Sequence, residues 1–171
     1  TLDGALNLLG LRSIHYPSPE DMVARNFAYL DDYDAATDIS ITAYFEDLDR
    51  HFPGSRFILT IRDLDPWLAS IEGHFAVRDQ RKYLGDSPAG IIRERTYGRR
   101  DFDRGDFIQA YHRHHEHVRA YFAARPADLL IMNITAGDGW EVLCPFLGMA
   151  VPGVKWPHLH RRKQAAAPRV A

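Results

Sequence analysis

The amino-acid sequence predicts an α/β protein in three layers, α/β/α, with a mostly parallel sheet between two helical layers. Three observations carry this. The runs Phe57-Ile58-Leu59-Thr60-Ile61 and Leu129-Leu130-Ile131-Met132-Asn133-Ile134 are short, apolar and rich in β-formers, as strands covered on both faces are. Segments of helical period alternate with such runs, which implies right-handed crossovers and parallel neighbours. The chain of 171 residues, 46% hydrophobic and 26% charged, suits a single core that needs no disulfide or zinc to hold it.

Each element has its own signal. Leu2, Ala5, Leu6, Leu8 and Leu9 recur at helical spacing and stop at Gly10; residues 12–16 then form a short strand cut off by Pro17. Residues 19–26 read as helix and residues 31–40 as a loop. A further helix starts at Thr42, places Tyr44, Phe45 and Leu48 on one face, and ends before Pro53-Gly54. After strand 57–61, Arg62 and Asp63 break the apolar run. Pro66 suits the first turn of a helix that carries Trp67, Ser70, Ile71 and His74. Residues 79–106 are polar and broken by Gly85, Pro88, Gly90 and Gly98, so short helices and loops are expected there. A long helix over 106–124 is closed by Pro126, and residues 140–147 form the last sizeable helix. One domain over residues 1–163 and a flexible tail over 164–171 follow from this layout.

Charge and cysteine content narrow the function. Twenty-one Lys and Arg against 23 Asp and Glu give a formal charge of -2, which is no footprint for nucleic acid or an anionic membrane. Any anion must be gripped locally. The one cysteine, Cys144, rules out an internal disulfide framework and a cysteine-rich zinc site, and it fits a reducing, cytoplasmic setting. No apolar run reaches the ~18 residues of a membrane span, and the opening residues lack the layout of a secretory signal.

In an open α/β sheet, ligands bind beyond the carboxyl ends of the strands. Arg62 lies at such an end, and its planar paired donors suit a phosphate; Ser70 can add a hydroxyl from the following helix. The competing reading pairs Arg62 with Asp63, Asp65 or Glu72.

The stretch Phe52 to Asp63, followed by Pro66-Trp67-Leu68 and Ser70, resembles the second cofactor motif of sulfotransferases that use 3′-phosphoadenosine-5′-phosphosulfate (PAPS). The resemblance continues through Val118-Arg119 with Tyr121-Phe122, Arg125-Pro126 with Asp128-Leu129-Leu130, Gly137-Asp138-Gly139-Trp140-Glu141, Leu143-Cys144-Pro145-Phe146-Leu147-Gly148 and Trp156-Pro157-His158. It is similar to a bacterial-type branch of that family. The resemblance implies a P-loop nucleotide-hydrolase-like fold, PAPS as co-substrate without a metal, and sulfuryl transfer to a hydroxyl or amine of a small-molecule or glycan acceptor. It implies that Arg62 and Ser70 bind the 3′-phosphate and makes Arg161 and Arg162, near the basic end, further phosphate candidates. It also implies a first strand and a Gly-rich phosphate loop ahead of the first helix. Thr1-Leu2-Asp3-Gly4-Ala5-Leu6 matches only that loop's last hydroxyl residue and the helix behind it, so Thr1 is the loop's one representative and the sequence is expected to be part of a longer chain.

The acceptor's proton needs a base, and in this family a His or a carboxylate supplies it. His15, ending the second strand of the implied fold, and Asp38, in the loop that should face the same crevice, are the candidates. An ordinary strand-end hydrogen bond for His15 and a helix-capping role for Asp38 are the competing readings. The run His112-Arg113-His114-His115-Glu116-His117 lacks the four-residue spacing of the usual helical zinc motif and reads as a solvated, weakly basic face. Trp67, Trp140 and Trp156 read as packing residues. Two other functions stay open. A nucleotide kinase of the same fold would need a magnesium-binding acid, with Asp63 the one stand-in, and a non-catalytic binding or assembly module would keep the sheet without the loop.

Overall fold

The computed structural model describes residues 1–77 and 79–157. Among these residues four strands form: β1 (Ser13–His15), β2 (Ala35–Thr37), β3 (Phe57–Thr60) and β4 (Leu129–Met132). β1 pairs with β2 and β3 with β4, both in parallel, and among the described residues the two pairs are not joined by hydrogen bonds. The expected parallel sheet is therefore present in two pieces. β2 falls inside the segment expected to be a loop, because Ala-Ala-Thr is too short and too small to show a strand pattern.

Side-chain alternation along β3 and β4 sorts the layers. Ile58 and Leu130 pack with the core of α1 (Leu2–Leu8) and α7 (Trp140–Leu147), around Ala5, Leu6, Met132 and Leu143. Phe57, Leu59, Leu129 and Ile131 point the other way, onto Phe45 of α3 (Ile39–His51) and Val118 and Phe122 at the end of α6 (Arg104–Tyr121). The period of two is what a strand between two helical layers requires. On the β1–β2 side, Ile14 and Ala36 meet Met22 of α2 (Pro19–Ala24), Leu48 of α3 and Ile92 of α5 (Pro88–Tyr97). A fourth cluster, Leu68 and Phe75 of α4 (Leu64–Val77) with Phe107 of α6, closes the far end.

Caps place these helices. The side chains of Ser18, Ser87 and Asp103 accept from the backbone N–H of Asp21, Gly90 and Asp106 at 3.2, 3.2 and 3.0 Å, and Pro19 and Pro88 occupy first-turn positions that need no N–H. α3 begins at Ile39, capped by Asp38, and not at Thr42 as expected; α6 covers 104–121 and not 106–124. The polar middle holds α5 together with a 3-10 turn, Gln80–Tyr83. Beyond α6, Arg125 donates to Asp49 of α3 at 2.7 and 3.2 Å, and Tyr121 donates its hydroxyl to the same carboxylate at 2.8 Å. Asp49 is buried, and this network ties the helix that follows β2 to the chain that leads into β4.

Candidate active site

The unpaired edges of β2 and β3 line one cavity of about 910 Å³, which runs up to the carboxyl ends of the strands. Ala35 and Ala36 form one side, and Phe57, Ile58 and Leu59 form the other. Two facing open edges leave backbone groups without ladder partners, which is the condition a further strand would satisfy.

His15 and Asp38, expected from sequence, are brought together here. His15 ends β1, and its register partner on β2 is Thr37. The ring is held at both nitrogens, with Nδ1 3.1 Å from the Thr37 hydroxyl and Nε2 3.2 Å from Asp38 Oδ2. Asp38 also accepts the N–H of Ile39 on Oδ1 at 2.5 Å, so it caps α3 and faces His15 at once. Asp38 thus takes the capping role that was its competing reading, and its other carboxylate oxygen lies beside the His15 ring.

The backbone is strained at this point. Asp38 has φ 101° and ψ -178°, and Tyr16, next to His15, has φ 59°. Non-glycine residues at positive φ cost of order 1–3 kcal/mol and persist where the surroundings impose them. The consequence at Asp38 is geometric. Successive side chains of a strand point to opposite faces, yet the turn at φ 101° brings the Asp38 carboxylate to the same ring that Thr37 touches.

Aromatic groups wall the rest of the cavity. Trp67 and Tyr111 lie 5.0 Å apart between ring centroids, and Tyr111 and His115 4.0 Å. His114 packs edge-on against Phe45 at 6.2 Å. Burial, then the neighbouring His115 and His117, push the His114 pKa down to about 4. Burial, then Arg119 and His112, lower that of His115. The histidine run is thus not uniformly solvated. His112 and His117 face water, while His114 and His115 turn inward as half-buried groups kept largely neutral at neutral pH. Trp67 likewise faces the cavity, whereas Trp140 and Trp156 pack on each other at 4.7 Å, as expected. Burial first, and then nearby charges that include Asp38, raise the phenol pKa values of Tyr97 and Tyr16, so both keep their protons.

The expected phosphate residues lie elsewhere. Arg62 lies two residues past the end of β3, its carbonyl accepts from the Tyr111 hydroxyl at 2.5 Å, and its Nε is buried with no hydrogen-bond partner. Among the described residues Arg62 makes no ion pair, and Asp65, one of its expected rivals, is 3.3 Å from Arg104. Ser70 is exposed on α4. Neither Arg62 nor Ser70 lines the cavity, and they do not hydrogen-bond to each other among the described residues. Thr1 occupies the N-terminal position ahead of α1, without a side-chain capping hydrogen bond, and does line the cavity. Arg161 and Arg162 lie outside the described residues.

Sequence reasoning missed Thr37, because β2 was hidden, and Tyr97, Tyr111, His114 and His115, whose inward faces depend on helix packing. It also missed Arg93. This guanidinium is buried between Tyr83 and Phe75, 3.1 and 4.0 Å from the ring centroids, and donates to Gln80 and to the Arg100 carbonyl. Among the described residues no group of three or more His, Cys, Asp or Glu side chains is placed to hold a metal ion, and no helix is long and apolar enough to cross a membrane.

Parallel strand pairs between helical layers, with His15, Thr37 and Asp38 gathered at the strand ends, define an α/β protein with a cavity where such folds bind ligands. The profile of the sulfotransferase domain matches residues 12–165, and the chain belongs to that family. It is a transferase domain, and sulfuryl transfer is its general activity. Comparison with curated proteins gave no match.

Proposed function

We propose that this domain transfers a sulfuryl group from PAPS to a hydroxyl or amine of a small-molecule or glycan acceptor, with His15 and Asp38 handling the acceptor's proton. The observation that carries this reading is the His15–Asp38 contact of 3.2 Å at adjacent strand ends in the cavity, within a sulfotransferase domain. When bound, the nucleotide brings an already activated sulfate, so the protein's share is binding, orientation and proton removal. Asp38 turns the imidazole and stabilises the positive charge that forms on it. The buried Nε of Arg62, still in need of an acceptor, supports a phosphate partner for that guanidinium, to which the exposed Ser70 would add a hydroxyl. The strand and phosphate loop that the resemblance implies would find two open edges in the slot between β2 and β3. A buried, free Cys144 supports a reducing compartment such as the cytoplasm.

Calorimetry with adenosine 3′,5′-bisphosphate and with AMP tests the nucleotide half. The bisphosphate is expected to bind at least about tenfold tighter, and Arg62→Ala to remove most of that difference, as the loss of charge-assisted hydrogen bonds predicts. Equal affinities for the two nucleotides would overturn the assignment.

A further inference from the structure

The contacts around the His15 ring carry one step more, which rests on the acceptor-side reading above. A carboxylate only accepts, so Asp38 Oδ2 at 3.2 Å from Nε2 favours the tautomer whose proton sits on Nε2. In the neutral ring Nδ1 then bears the lone pair, and the Thr37 hydroxyl, 3.1 Å away, must donate to it. With its own proton directed at Nδ1, the Thr37 oxygen keeps its lone pairs for a further donor. Thr37 itself lines the cavity.

We propose that Thr37 is a catalytic residue of this site, relaying the proton of an acceptor hydroxyl to His15. The proton balance is simple. The acceptor's O–H bond breaks as an O–H bond forms on Thr37; the original Thr37 O–H breaks as Nδ1–H forms; His15 becomes an imidazolium facing the Asp38 carboxylate. Nε2 takes no part, because Asp38 already holds it. Three features fix the arrangement: the β1–β2 register that sets His15 opposite Thr37, the Thr37 carbonyl that accepts the Tyr16 N–H at 3.0 Å, and the positive φ that swings Asp38 back onto the ring.

Nitrogen-15 NMR of the histidine-labelled chain, at a pH well above the ordinary histidine range, reads the arrangement without any turnover. Wild type is expected to carry the His15 proton on Nε2, with an Nδ1 resonance displaced from that of a free imine nitrogen by an incoming hydrogen bond. Thr37→Val should move that resonance to the free position and leave the tautomer unchanged, and Thr37→Ser should restore it. In a sulfuryl-transfer assay of the full chain with a hydroxyl acceptor, Thr37→Val is expected to lower kcat by about 10²-fold with KM little changed, and Thr37→Ser to recover most of it. A proton on Nδ1 in wild type, an Nδ1 signal indifferent to Thr37→Val, or full turnover by that variant would overturn the proposal. Wild type that shows the NMR signature yet transfers no sulfuryl group would refute the proposed reaction, and the proton route with it, while leaving the ring's orientation established.

Discussion

Asp49→Asn removes one negative charge and almost no volume from the network that ties α3 to the end of α6. Oδ2 accepts from Tyr121 at 2.8 Å and from Arg125 at 2.7 Å, and Oδ1 accepts from Arg125 at 3.2 Å. However the new amide is turned, its NH₂ meets an Arg125 N–H, so at least one charge-assisted bond is lost and the others weaken. Hydrogen bonds to charged groups contribute ~1.5–3 kcal/mol each, but the Arg125 side chain is 41% exposed and regains water, which reduces the cost. The expected loss is roughly 2–3 kcal/mol, or about 4–12 °C in Tm for a chain of this size. Urea and thermal unfolding followed by circular dichroism measure it. The pH dependence supplies the sign. Arg125's hydrogen bonds first, and Tyr121's after them, hold the Asp49 carboxyl below the usual carboxylate range against the opposing effect of burial. A folded-state pKa below the unfolded one stabilises fully above the unfolded value, and that contribution is lost as pH falls through the folded value. The gap between wild type and Asp49→Asn should therefore be full at neutral pH and close on acidification through and below the carboxylate range. Equal stabilities at neutral pH, or a gap that does not shrink in acid, would refute the reasoning.

Three further outcomes are expected. Phe107→Ala empties a fully buried site stacked on Tyr97 at 4.4 Å and should cost about 3–5 kcal/mol, read by urea unfolding. Gly90→Ala sets a methyl group on the Tyr83 carbonyl oxygen, so α5 and the 3-10 turn beside it must separate; a loss of ~1–3 kcal/mol is expected, with unchanged stability counting against this close approach. An NMR titration of His114 should show a midpoint near 4, and a normal histidine midpoint would mean that the cavity wall is open to water.

The apolar runs from Phe57 and from Leu129, the helix beginning at Pro19, the proline signal at Pro66 and the 140–147 helix were legible in the sequence, because composition, periodicity and helix-start signals are local properties. The sequence also nominated His15 and Asp38, 23 positions apart, on family resemblance; local pattern says nothing of their contact. Three things were decided only in three dimensions. β2 is a strand because β1 lies beside it, not because Ala35-Ala36-Thr37 prefers extension. His114 and His115 lose their solvent because α6 packs against α3 and α4. Asp38 meets His15 because its backbone takes a conformation that a side-chain-bearing residue adopts only under tertiary constraint. Local chemistry determined which elements form; long-range packing determined which of their side chains share a cavity.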